Sequence, residues 1–274
     1  AKAYAREVLA HKIGGELGVI VEEKLEGEEF SLMAFTDSNT LIPMPAVQDH
    51  KRAYENDLGP NTGGMGSYSD KSKLLPFLER KDYLQAVSIL KKIVFTLKQK
   101  SIIYKGVIYG GFIATKNGVY CLETNARFGD PEALNVLAVL KTPLLDILTS
   151  IANTNLAKIK TRWEKTSTVV KYLVPLGYPE KSVAPSPIKI DWNKLKDLDV
   201  EIFYGSVDEK NGVLYSGKSR AIAILAKDDS IPNASKKASL AASAIDGPLW
   251  HRKDIGSTAL LNKRIEHMKK IRKK

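Results

Sequence analysis

Glu123-Thr124-Asn125-Ala126-Arg127-Phe128-Gly129-Asp130-Pro131-Glu132 places two oxygen-donor side chains, a cation and a helix start within ten residues. The run just before it, Val119-Tyr120-Cys121-Leu122, is rich in strand formers. Side chains two apart on a strand share a face, so Glu123 and Asn125 are expected to point the same way. One carboxylate with one amide oxygen suits Mg²⁺ or Mn²⁺. Magnesium in particular is held by one or two protein oxygens and completes its shell with water and substrate phosphates. Arg127 follows with a guanidinium fork able to grip a transferring phosphoryl group. Asp130 is expected to cap a helix over 131–140 with Pro131 in its first turn, which would turn the helix's free N–H groups toward the same site. Taken alone, the stretch also reads as a surface strand with Arg127 paired to Asp130.

Working outward, Lys116-Asn117-Gly118 joins strands expected over 106–115 and 119–125, because Asn-Gly accepts the positive φ of a tight turn. Residues 79–98 read as a helix with Tyr83, Val87, Leu90, Val94 and Leu97 on one stripe. Strands are expected over 19–25, 30–36 and 41–47, and helices over 4–11 and 143–153. A polar, basic crossing at 155–165 separates this part from short strands at 168–174, 200–204, 213–215 and 221–226 and an Ala-rich helix over 234–245. The reading is α+β, with one domain over 1–165 and a small mixed α/β domain over 166–274.

A second motif lies upstream. Gln48-Asp49-His50-Lys51-Arg52 precedes Gly59-Pro60-Asn61-Thr62-Gly63-Gly64-Met65-Gly66-Ser67-Tyr68, with four glycines among the first eight residues. Such a loop lets successive backbone N–H groups converge on a phosphate or carboxylate. Asn61, Thr62 and Ser67 add neutral donors, and Lys51 and Arg52 add charge. His50 reads equally well as a structural hydrogen-bonder. A glycine-rich loop alone is also a flexible connector. Its pairing with the 123–132 stretch points to nucleotide-dependent phosphoryl transfer.

The chain has 274 residues, 43% of them apolar, a net charge of +11 and one cysteine, Cys121. No apolar run approaches the ~20 residues of a membrane-spanning helix, and no secretory signal pattern is present. Cys121 reads as a small packed hydrophobe rather than a nucleophile. From Asn262 onward, Lys263, Arg264, Lys269, Lys270, Arg272, Lys273 and Lys274 against Glu266 hold +6 of the charge. Leu260, Leu261, Ile265, Met268 and Ile271 recur there at helical spacing, so a final amphipathic helix with a solvated basic face is expected, and not a nucleic-acid site.

The segments VIVEEKLEGEEFSLMAFTD, PMPAVQDHKRAYENDLGPNTGGMGSYS and YGGFIATKNGVYCLETNARFGDPEALNVL, in that order and spacing, resemble the phosphoribosylamine–glycine ligase (glycinamide ribonucleotide synthetase) family of the ATP-grasp superfamily. Thr168 to Val174, Gly177-Tyr178-Pro179-Glu180 and His251-Arg252-Lys253-Asp254-Ile255-Gly256 are similar to marks of that family's C-terminal domain. The resemblance implies the second half of an ATP-grasp domain followed by that C-terminal domain. It also implies a cytoplasmic enzyme of de novo purine biosynthesis. Its partners would be ATP, glycine and 5-phosphoribosylamine, joined through a glycyl phosphate. Carried onto this sequence, Glu123 and Asn125 hold Mg²⁺ or Mn²⁺, and Arg127 meets the transferring phosphoryl group. Asp49, Lys51, Asn61, Thr62, Gly63 and Gly64 meet substrate, with Asp49 or Asp130 orienting the attacking amine. Glu22, Lys24 and Leu25 belong to a hinge strand at the nucleotide, with Glu28 or Glu29 on its ribose. Some relatives carry Gln where Gly111 stands, which leaves a third metal ligand open. Relatives hold a further N-terminal portion before the point matching Ala1, so a piece lacking the N-terminal domain and first ATP-grasp subdomain is expected, with that portion as a partner. Another ATP-grasp ligase or carboxylase, or a non-catalytic half-site module, are the alternatives.

Overall fold

The Asn117-Gly118 turn closes a hairpin that forms one edge of a ten-stranded sheet in the computed structural model, which describes residues 2–11 and 18–273. Helix α1 (Lys2–His11) buries no residue. The first half then runs β1 (Glu28–Thr36), β2 (Leu41–Pro43), β3 (Val47–Asp49), β4 (Arg52–Tyr54), β5 (Leu58–Asn61), β6 (Gly66–Ser69), α2 (Arg80–Gln99), β7 (Gly106–Thr115), β8 (Gly118–Asn125), α3 (Glu132–Ala138) and α4 (Leu144–Ala152). The second half runs β9 (Ser167–Pro175), β10 (Ser186–Ile190), α5 (Trp192–Leu195), β11 (Val200–Tyr204), β12 (Val207–Lys210), β13 (Val213–Ser216), β14 (Ile222–Asp228), α6 (Ile231–Ala242), β15 (Ile245–Asp246), β16 (Leu249–Trp250) and α7 (Thr258–Lys273).

The large sheet has the order β11-β14-β9-β6-β3-β1-β7-β8, with β2 on β1 and β16 on β9, and all its pairs are antiparallel. β12-β13-β10-β15 make a second, smaller sheet. The α+β expectation therefore holds. The boundary expected near residue 165 is no break in the sheet, because β6 and β9 pair from Gly66↔Lys171 to Ser69↔Thr168.

β1 shows how alternation sorts side chains. Phe30, Leu32 and Ala34 join the core beneath α2, built with Ala86, Val87, Leu90, Val94 and Phe112. Met33 and Phe35 point the other way, into a second core with Val107, Tyr109, Val136 and Ile147. Period 2 then puts Glu28 on the first side and Glu29 and Ser31 on the second. At the start of α2 the Glu79 backbone N–H donates to the Asp82 carboxylate at 2.7 Å, closing one of the free N–H groups of that turn.

Several expectations change. Residues 19–25 are not a strand. Their β-formers Ile20 and Val21 are 87% and 83% exposed, and no described strand pairs with them. The strand expected over 41–47 is split by Met44-Pro45-Ala46, since Pro45 has no N–H for a ladder. Helix α3 starts at Glu132 with Pro131 as its N-cap, and Asp130 makes no capping bond. Cys121 is exposed, because β8 is the sheet edge. The basic face of α7 is only partly solvated. Arg264 pairs with Glu28 and Asp57, and Arg272 with Glu79 and Asp82. Leu260, Leu261, Met268 and Ile271 are buried as expected, while Lys274 lies outside the described residues. No helix among the described residues is long and apolar enough to cross a membrane.

Candidate active site

The antiparallel register of β7 and β8 sets Glu123 opposite Gly111 and Asn125 opposite Tyr109, on the same face as Ser31 of β1. A bulge between Gly111 and Phe112 lets β8 bend without turning these two side chains apart. They open on a cavity of about 170 Å³ together with Asp49, Lys51, Thr62, Gly63, Arg127 and Asp130. Eight expected site residues, spread over residues 49–130, thus meet in one place. Glu29, Asp49, Lys51 and Glu123 also share an adjoining recess.

The cavity is mixed in charge. Lys51 Nζ lies 3.5 Å from Glu123 Oε1. Burial alone would lower the Lys51 pKa, but Glu123, Asp49, Glu29 and Glu132 together hold it above its ordinary value. Asp49 is driven the other way: burial, then the neighbouring Glu132, push its carboxyl well above the usual range, against the pull of Lys51. Glu132 is 2% exposed, and its Oε1 accepts hydrogen bonds from Ser31 Oγ at 2.7 Å and Tyr109 Oη at 3.0 Å. Arg127 is exposed and donates to the Phe128 carbonyl at 2.8 Å.

Asp130 does not stand free to orient an amine. Its Oδ1 accepts from Tyr172 Oη at 2.8 Å, and its Oδ2 pairs with Arg220 Nη2 at 2.8 Å. Nor is the glycine-rich loop a cradle of free N–H groups. Thr62 N–H is donated to Lys51 O, Gly64 N–H to Thr62 Oγ1, and Met65 N–H to His50 O. The glycines serve close approach instead. A Cβ on Gly64, at φ +110°, would lie 2.7 Å from both Asp49 Oδ1 and Pro131 Cδ, and one on Gly66 would lie 2.2 Å from Val170 O.

Other expected residues lie elsewhere. Asn61 is exposed on β5 and pairs with Arg52. Lys24 and Leu25 line a separate cavity of about 180 Å³ with Glu23, Glu26, Lys116, Asn117, Tyr120 and Ile271 at the turn end of the β7–β8 hairpin; Glu22 is exposed outside it. Glu28 faces away from Glu29. His267 Nδ1 is 2.6 Å from its Oε1 and Arg264 Nε 3.3 Å from its Oε2, while burial raises its pKa on balance. Of the two ribose candidates only Glu29 remains on the site face. His50 is buried against Tyr68, and neither ring nitrogen has a hydrogen-bond partner among the described residues. Burial, with Arg252 and Arg264 beside it, pushes its pKa down to about 3, so it packs as a neutral ring, and the hydrogen-bonding role that its sequence context left open is not realised among the described residues.

Tyr109, Ser31, Glu132, Tyr172 and Arg220 are site or site-adjacent residues without an assigned role in the sequence reading. Cross-strand register could have flagged Tyr109. Nothing local marks Arg220.

For a divalent cation, Glu123 and Asn125 provide one carboxylate and one amide oxygen on one face. Gly111 leaves the space beside them open, since a Cβ there would lie 3.0 Å from Glu123 Cγ and 3.6 Å from its Oε1. No cluster of three or more His, Cys, Asp or Glu occurs among the described residues that could hold a metal by itself. This donor set fits a cation that shares its shell with water and phosphate and does not fit a closed structural metal site.

Comparison with known proteins gives concordant results. The family described as phosphoribosylglycinamide synthetase, ATP-grasp (A) domain, matches residues 1–133, and phosphoribosylglycinamide synthetase, C domain, matches residues 168–258. The phosphoribosylamine–glycine ligase of Methanobrevibacter smithii is 47% identical over 271 residues, which cover 99% of this chain and 62% of that protein. The chain therefore spans a little over three-fifths of the length of that curated relative. Among solved structures, phosphoribosylamine–glycine ligase from Thermotoga maritima superposes with a TM-score of 0.81 at 25% identity, covering 93% of this chain and 64% of that one. The biotin carboxylase domain of the Hydrogenobacter thermophilus 2-oxoglutarate carboxylase shares the fold alone, with a TM-score of 0.63 at 12% identity over 98% of this chain and 54% of that one.

Proposed function

The chain belongs to the phosphoribosylglycinamide synthetase family, and from that premise we propose that the protein carrying it joins glycine to 5-phosphoribosylamine with cleavage of ATP, as a cytoplasmic step of de novo purine biosynthesis. In the first half-reaction a glycine carboxylate oxygen bonds to the γ-phosphorus and the bond to ADP breaks. In the second, the amine nitrogen attacks the glycyl carbonyl, phosphate leaves, and the nitrogen loses a proton. The observation that carries this reading is the gathering of Asp49, Lys51, Glu123, Asn125 and Arg127 around one cavity beside the glycine-rich loop.

Each residue has a part that its surroundings support. Glu123 and Asn125 would hold Mg²⁺ or Mn²⁺, which when bound neutralises phosphate charge. Arg127, at the exposed rim, is free to swing onto the transferring phosphoryl group. Lys51 and the Gly63 N–H meet substrate anions. Asp49, which lines the same cavity, takes the amine proton, the role that Asp130 cannot fill while it is tied to Arg220. Lys24 and Leu25 line the separate cavity that would take the nucleotide, and Glu29 lines the recess beside Lys51 and Glu123.

Glycine labelled with ¹⁸O in its carboxylate tests this directly. The native protein, given ATP and 5-phosphoribosylamine, should form glycinamide ribonucleotide and move one label into each phosphate released. Product without labelled phosphate would remove the acyl phosphate, and no glycine-dependent product at all would remove the ligase reading.

A further inference from the structure

Arg220 stands just before β14, in the part of the chain matched to the C domain, 157 residues after Gly63 and 90 after Asp130. Its Nη1 donates to Gly63 O at 2.8 Å, with Gly64 O at 3.2 Å and Asp130 O and Oδ1 at 3.3 Å. Its Nη2 donates to Asp130 Oδ2 at 2.8 Å. The guanidinium lies over the Tyr172 ring, 4.5 Å from its centre, and the Tyr172 hydroxyl donates to Asp130 Oδ1. Gly63 makes room for this approach, since a Cβ there would sit 3.3 Å from the guanidinium carbon. One planar fork therefore touches the glycine-rich loop and the 129–131 turn at once, and both of those line the cavity that holds Asp49 and Arg127.

We propose that Arg220 is a positioning residue of this site, a latch by which the C-terminal part of the chain fixes the glycine-rich loop against the Asp130 turn and so sets the spacing of the acceptor-substrate end of the cavity. A lysine keeps the charge but has neither the planar fork nor the stacking surface, so it cannot span three carbonyls and a carboxylate while lying on the Tyr172 ring. The cavity proposed above for the nucleotide is a separate one, around Lys24 and Lys116. Loss of the latch therefore separates the two substrates kinetically.

The test is made on the native protein with Arg220→Lys, read by backbone amide exchange and by kinetics. Exchange at residues 62–66 and at Gly129 and Asp130 should rise about tenfold or more while α2 stays protected. The kinetic arm rests on the ligase reading. There the KM for the amine substrate should rise about tenfold and kcat fall, with the KM for ATP within about twofold. Exchange unchanged at both loops would overturn the latch, as would equal rises in the KM of ATP and amine. Should wild-type protein form no glycinamide ribonucleotide, the ligase reading fails while exchange still decides the latch. If Arg220→Lys does not fold, Gly63→Ala, which pushes on the same guanidinium, and Tyr172→Phe, which removes the hydroxyl bond to Asp130, carry the same exchange test.

Discussion

β8 and β9 belong to one sheet and both carry polar side chains, yet they use them oppositely. β9 runs through the middle with all nine residues buried, and each polar group on it finds its partner inside the fold. Lys171 is fully buried and donates to Ser239 Oγ and the Lys253 carbonyl, both at 2.8 Å. Thr168 Oγ1 meets Ser69 Oγ at 2.7 Å and accepts from Asn135 at 2.9 Å, and Ser167 donates to Asp70. β8 is the edge, exposed from Tyr120 through Thr124. Among the described residues the Glu123 side chain there has only the long contact to Lys51, and the Asn125 side chain, at the same cavity, has no hydrogen bond. A polar group in the centre of a sheet must be satisfied by the fold, because water cannot reach it. On the edge it can be left to water, and hence to a ligand.

The largest effect that would break this contrast is on turnover. Glu123→Ala or Asn125→Ala should lower kcat by about 10²- to 10³-fold, as loss of a single charge-stabilising group does. The thermal midpoint should not fall, since neither side chain is packed. Near-normal turnover in either variant, or a large loss of stability, would put β8 in the same class as β9.

Lys171→Ala should do the reverse, destabilising by about 2–3 kcal/mol because it removes a buried cation's hydrogen bonds and leaves Ser239 and the Lys253 carbonyl unpaired. Denaturant titration measures this. Protein that remains folded should keep its turnover, and a selective loss of kcat at unchanged stability would make Lys171 part of the chemistry.

The smallest effect is on pH. Burial, the dominant cause, drops the Lys171 pKa from 10.5 to about 8. Between those values the unfolded chain holds a proton that the folded chain has released, so stability should rise with pH across that window. Below pH 8 both states are protonated and the full penalty of burying the charge is present. Comparing unfolding free energies at pH 8 and pH 10, wild type should gain relative to Lys171→Ala, whereas Glu123→Gln should track wild type. A flat difference between wild type and Lys171→Ala would show that the ammonium stays charged in the fold.

Where sequence reading succeeded, the signal was short-range. The β7–β8 hairpin followed from Asn117-Gly118, helix α2 from its stripe, and the shared face of Glu123 and Asn125 from period 2. Residues 19–25 misled because strand propensity measures fitness for a pleated, partnered surface, and no partner is found for them among the described residues. Asp130 misled for the opposite reason, since its position suits a cap but Arg220, ninety residues on, takes its carboxylate. Alternation told Glu28 from Glu29 but could not say which faced the site. That depended on Arg264 and His267 waiting on the other side.

The α+β class, the order of most elements, the family and the two motifs that converge on the cavity are legible in the residues alone, because propensities, turn residues and motif spacing are local. Tertiary structure alone decided which strand lies at the edge and so leaves its polar groups open. It also decided that the glycines of the 59–66 loop serve close approach more than anion capture, and that a C-terminal arginine ties that loop to Asp130. Each of these depends on what stands across a gap from residues far away in the chain, and a charge, a void or a hydrogen bond acquires its meaning only from that neighbour.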